Sequence, residues 1–162
     1  DPWLGGLYAT PTVALAPLII IWFGIEITPK IIIVLLTAVV DIVINTYTGV
    51  INVGQEFRML GMAFCVPRRQ IWFKILVPGA LPYIVTGLRL ATSRAIVGVV
   101  VAEYFGSSEG LGWLLFKAMD TYNMPLMISC ATLLAGTGVV LNQAILAVEK
   151  IMAPWRDTKL QE

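Results

Sequence analysis

QEFRMLGMAFCVPRRQIWFKILVPGALP, residues Gln55 to Pro82, is the longest part of the chain that a lipid bilayer would reject. It carries Glu56, Arg58, Arg68, Arg69 and Lys74, and long apolar runs flank it on both sides. Gln55 to Phe64 favours helix and has no proline. Pro67 suits the first position of a second helical piece, and Pro78 is expected to interrupt that piece. A polar, partly helical connection of this length between two membrane spans is expected to bind a partner.

The flanks decide the class. Of 162 residues, 58% are hydrophobic and 13% charged, with a mean hydropathy of +0.84. A soluble domain is about a quarter charged and about half apolar, so the excess points to lipid as the solvent. The net charge of +1 gives a nucleic-acid partner no electrostatic support. There is no histidine, which removes His-based acid–base catalysis and most zinc chemistry. Cys65 lies in the polar connection and Cys130 in an apolar run, so both are expected to be free thiols.

About four apolar runs emerge, in an all-α membrane protein. The first, Thr12 to Ile25, is short for the roughly 20 residues a span needs and becomes long enough only with Leu7 to Thr10. It contains Pro17 and ends at Trp22 and Phe23, which suit an interfacial belt. The second, Ile31 to Val50, spans with Asp41, Asn45 and Thr48 on one helical face, so that face should meet protein or a water-filled path. The third runs from Pro82 to Phe105 and holds Arg89, placed to snorkel, the deeper Arg94, and Glu103 near its far end. Leu111, Leu114, Leu115 and Ala118 mark a short amphipathic helix. The fourth span runs from Pro125 to about Val148, followed by a tail with Trp155 and Arg156. The opening DPWLGGLYATP has neither an initiator Met nor a basic leader region, and is read as beginning inside a longer protein.

Arg58, Arg68, Arg69, Lys74, Lys150, Arg156 and Lys159 fall on one side of this topology, against Lys30 and Lys117 on the other. By the positive-inside rule the Gln55–Pro82 connection and the C-terminus are cytoplasmic.

Chemistry-bearing constellations are few. GSSEGLG, from Gly106, lacks the lysine and the preceding strand of a nucleotide site. Asp41 reads either as part of a translocation path, or as a structural group that makes a hydrogen bond or meets a partner arginine inside the bundle. Arg94 reads either as a steering charge for an anionic solute or as the neutraliser of Asp41 or Glu103.

At RRQIWFKILVPGALPYIVTGLRLA the sequence resembles the membrane-spanning permease subunits of bacterial ABC importers, the binding-protein-dependent transport family. Those proteins share a cytoplasmic pattern of Glu-Ala-Ala, three residues, Gly, nine residues and Ile-x-Leu-Pro. Here Ile75 and Pro78 take the Ile and Pro places, and Val77 stands for Leu. Counting back puts Cys65 at the Gly place and Met59, Leu60 and Gly61 at Glu-Ala-Ala, while Glu56 falls three residues too early. LYATPTVALAPLIIIWFGI, NTYTGV and VVVAEYFGSSEGLGWLL are similar to the nitrate/sulfonate/taurine branch.

The resemblance implies a single permease domain over residues 1–162 with the fold of type I importers. The family has about six spans, so the first two helices would be missing. Residues 55–82 would be the coupling loop, with Glu56, Arg58, Met59, Leu60, Gly61, Cys65, Arg68, Arg69, Ile75 and Pro78 forming or flanking the ATPase-docking surface. Pro78 and Pro82 would set the angle into the third span. Asp41, Asn45 and Arg94 would be candidates for the translocation path of a small solute such as nitrate, sulfonate or taurine. ATP would be bound by a separate subunit, leaving this chain with no catalytic residue, metal or cofactor. The implied partners are cytoplasmic ATPases, a second permease subunit, an extracytoplasmic solute-binding protein and the lipid of a bacterial inner membrane, with no nucleic acid. The alternative is a membrane scaffold, or a remnant of such a permease, without a transport path.

Overall fold

The computed structural model describes residues 6, 11–63 and 67–152, and the side chains of 11–53 and 67–150. All the regular structure among them is helical.

The first apolar run folds as a 3-10 turn, Thr12–Leu15, leading into α1, Ala16–Phe23. Pro17 sits in the first turn of α1, where an N–H would have no partner in the helix. Gly24, at φ 81°, closes the helix by donating its N–H to the Ile20 carbonyl at 2.8 Å. Thr12–Phe23 is shorter than a spanning helix. The Leu7–Thr10 extension expected to complete a span lies outside the described residues.

Helix α2, Ile27–Ala63, is 37 residues long. After Pro29 it meets no proline, so nothing stops it at Gln55. The helical piece expected at Gln55–Phe64 is the continuation of α2 as far as Ala63. The chain re-forms as α3, Arg68–Ile71, on Pro67, then a π-helix, Trp72–Leu76, and then α4, Val77–Gly106. The interruption expected at Pro78 does not occur. The π-helix ends at Leu76, and Pro78 falls in the first turn of α4, where the widened turn ahead of it accommodates a residue with no N–H to donate. Pro82 lies inside α4. Helix α5, Leu111–Asp120, and helix α6, Met124–Met152, complete the described chain. Asn123 caps α6, its side-chain oxygen accepting the Leu126 N–H at 3.2 Å.

Among the described residues, three stretches are long and apolar enough to cross a membrane: Ile27–Val53, Arg68–Gly106 and Met124–Lys150. The expected second, third and fourth spans are these.

Helices α2 and α4 lie antiparallel, because Gly79 faces Val53, Gly49 faces Tyr83, Gly87 faces Asp41 and Asn45, and Gly98 faces Val34 and Thr37. The buried edge of α4 is a row of small residues, Ala80, Gly87, Ala91, Gly98 and Ala102. Lipid tails are as apolar as leucine, so membrane helices associate through close van der Waals approach, which small residues allow. At the end of the pair away from the Arg68 turn, it receives α1 through a cluster of Ala16, Ile19, Ile33 and Ala102. Helix α6 packs on α5 and on the flank of α4. Its outward face, including Ile128, Val139 and Val140, is exposed and apolar. Cys130 on this helix is a buried free thiol, and Cys65 lies outside the described residues.

Candidate functional site

Asp41 and Arg94 both sit near the middle of apolar stretches. Arg94 Nε lies 3.4 Å from Asp41 Oδ2. The Asp41 side chain is 11% exposed, whereas that of Arg94 is 54% exposed. Gly87 and Gly98 bring the two backbones close enough for an arginine on α4 to reach an acid on α2. Of the two acids open to Arg94, the structure selects Asp41. Oδ2 of Asp41 is buried and makes no hydrogen bond, so the pairing is a charge contact. Asn45 stands one turn along the same face and donates its Nδ2 to the Asp41 backbone carbonyl at 2.8 Å. Thr48 turns back to the Ile44 carbonyl at 2.9 Å in the same way. The site therefore consists of one buried carboxylate, one half-exposed guanidinium and a side-chain amide against Gly87.

Arg89 does not simply snorkel. Its Nε donates to Asn142 Oδ1 at 3.0 Å, tying α4 to α6. The sequence reading missed Asn142. Its signal was the Asn142–Gln143 amide pair inside an otherwise apolar run.

At the end of the α2–α4 pair that meets α1, Glu103 Oε2 accepts the Gly112 N–H at 2.6 Å. Gly110, at φ 115°, is the N-cap of α5 and has no side chain to cap with, so a carboxylate from α4 does that work. A Cβ on Gly110 would strike the Glu103 carboxylate, and one on Gly112 would meet the Val100 backbone at 2.8 Å. Lys30 Nζ donates to Ser107 Oγ at 3.0 Å, joining the start of α2 to the loop after α4. An open cleft of about 610 Å³ lies between them, lined by Ile25, Lys30, Phe105 and residues 106–110. The rings of Tyr104 and Phe116 are 3.9 Å apart, and Lys117 stands over the Trp113 ring at 4.6 Å.

At the opposite end, Arg68 and Arg69 are exposed, and Ile75 and Pro78 are partly buried. Trp72 and Phe73 are exposed. The side chains of Glu56, Arg58, Met59, Leu60, Gly61 and Cys65, all expected on the docking surface, lie outside the described residues.

Residues 6–157 match the family described as binding-protein-dependent transport system inner membrane component. The chain is 32% identical over 155 residues to the formylaminopyrimidine transport permease protein ThiX of Halalkalibacterium halodurans, covering 96% of this chain and 62% of that protein. It is 30% identical over 158 residues to the putative aliphatic sulfonates transport permease protein SsuC of Bacillus subtilis, covering 98% and 57%. It is 33% identical over 147 residues to the putative ABC transporter permease protein MJ0413 of Methanocaldococcus jannaschii, covering 90% and 55%. The chain thus spans less than two thirds of the length of these relatives. With apolar helices, a charge pair between two of them and a match along nearly its whole length, the chain belongs to the family of binding-protein-dependent transport system inner membrane components.

Proposed function

We propose that the chain forms the membrane-spanning part of an ATP-driven importer, and that Asp41, Asn45 and Arg94 line the path of a small solute. The carrying observation is the Asp41–Arg94 pair. Charged groups at mid-membrane depth are costly and face a bundle interior or a water-filled cavity. A half-exposed arginine there fits a path. ATP is bound and hydrolysed on a separate subunit, which docks on the Gln55–Pro82 segment. A second permease subunit and an external solute-binding protein complete the assembly. The concentration of Lys and Arg at that segment and in the C-terminal tail supports a cytoplasmic location for both, in a bacterial inner membrane.

The solute is of the sulfonate, taurine or nitrate kind. The sulfonate permease relative and the cationic side chain of Arg94 favour it, and the formylaminopyrimidine permease relative names the competing class.

Docking is tested by replacing Met59 and Leu60 with Asp and measuring recovery of the ATPase with the permease. The expected result is loss of the ATPase, and unchanged recovery would overturn the docking assignment. Solute class is tested by uptake of labelled taurine and labelled formylaminopyrimidine in cells carrying the whole transporter, where Arg94→Gln should lower taurine uptake at least tenfold. A scaffold without a path would take up neither.

A further inference from the structure

An amphipathic helix with one face against a neighbour buries every third or fourth residue. Along the entry into α4 the buried positions are Ile71, Leu76 and Ala80, a spacing of five and then four. Five residues turn an α-helix by about 500°, roughly 140° beyond one full turn, so Ile71 and Leu76 could not share a face in α register. The π-helix reconciles them. Val77 donates its N–H to the Trp72 carbonyl, an i→i+5 bond, and the longer turn brings Ile71 and Leu76 onto one side.

A second register is written into the same residues. Counting back from Ala80 in α register, the positions facing α2 are Leu76, Phe73 and Trp72. Phe73 is 68% exposed and Trp72 52% exposed in the observed register. Converting the π turn to α would bury these two rings and carry Ile71 outward, exchanging one apolar set for another. The return to i→i+4 pairing falls at Pro78, whose ring would crowd the Lys74 carbonyl and leave it unbonded in the α register, so the π register is the resting one. Beyond it α4 is held against α2, where a Cβ on Gly79 would lie 2.5 Å from Val53 and one on Gly87 3.2 Å from the Asp41 carbonyl. The part free to turn is therefore the part before Pro78.

We propose that Trp72–Leu76 is a two-register switch, in which Ile71 alternates with Trp72 and Phe73 on the face toward α2 and the Arg68–Ile71 helix turns about its axis. One residue of register is about 100° of rotation and 1.5 Å of rise. The exposed cations Arg68 and Arg69 are thereby re-aimed while α4 stays in place. This inference rests on the docking assignment above, because a turning segment transmits force only if a partner holds it.

The test uses the complete transporter with its ATPase. Cys65 is replaced with Ser and Cys130 with Ala, and spin labels are placed at Gln70→Cys and Val97→Cys. Distances are measured without nucleotide and with ATP and vanadate. The two states should give distances that differ on the order of 5–8 Å, from a rotation of about 100° at a side-chain radius of about 5 Å. The Trp72→Asn/Phe73→Asn variant should hold one of these distances in both states and Ile71→Asn the other, each with uptake reduced at least tenfold. One unchanged distance in a docked complex, or a normal shift in the Trp72/Phe73 variant, would overturn the switch. Failure of the unsubstituted permease to recover its ATPase would instead overturn the docking assignment.

Discussion

The Glu103 carboxylate accepts the backbone N–H of Gly112 at 2.6 Å, so the end of α4 caps the start of α5. The hydrogen bond is charge-assisted, and it sits where the helix dipole favours an anion. Glu103→Ala is expected to leave the amide unpaired at a cost of about 1–3 kcal/mol. Amide exchange at Gly112 should quicken by roughly ten- to a hundredfold, and Glu103→Gln should recover part of the protection. Unaltered exchange in the alanine variant would rule the cap out.

The α2–α4 seam predicts a contrast between two glycines. A Cβ on Gly87 would sit 3.0 Å from the Asn45 Cβ and 3.2 Å from the Asp41 carbonyl, whereas Gly136 has open space around it. Gly87→Ala is expected to cost about 1–3 kcal/mol through overpacking, and Gly87→Leu to prevent assembly of the pair. Gly136→Ala should be neutral, or stabilising by up to about 1 kcal/mol. Thermal unfolding in detergent ranks the three.

The Asp41–Arg94 contact predicts an asymmetry. Arg94→Met strands a buried carboxylate, while Asp41→Asn removes one contact of an arginine that is only half buried. The arginine substitution is therefore the costlier, by about 1–3 kcal/mol once the exposure of Arg94 is discounted. A double-mutant cycle in unfolding experiments should return a coupling energy of the same sign. Equal losses for the two single variants would contradict the burial difference.

Asn142→Leu removes the acceptor of Arg89. Interhelical hydrogen bonds in membrane bundles average about 0.6 kcal/mol, so stability should barely change. The α4–α6 contact should loosen, which a disulfide cross-linking rate between cysteines placed at Leu88 and Leu141 would report as a several-fold change.

What could be read beforehand followed from the nature of each signal. Apolar runs located three membrane-length helices, expected from Ile31, Pro82 and Pro125 and observed from Ile27, Arg68 and Met124, because lipid demands length and hydropathy together. Patterns that depend on a second helix were less visible. Arg94 had two acids open to it, and only the glycine-mediated approach of α2 selects Asp41. The small residues from Ala80 to Ala102 were in plain view, but their meaning needs the opposing backbone. Pro78 was read as a break because proline rules presume α register, and a π turn ahead of it removes the conflict. Glu103 was placed at the outer end without its partner. The clue was Gly110, a helix start with no side chain of its own to cap it.

The small-residue row of α4 carries an evolutionary consequence. At Gly87 and Gly98 a single added methyl meets another helix, its backbone included, so replacements there are tolerated only in concert with changes opposite that let α2 stand further off. Sequence change in this chain should therefore arrive as linked pairs across α2 and α4. The exposed face of α6, which meets none of the other described helices, should drift one position at a time.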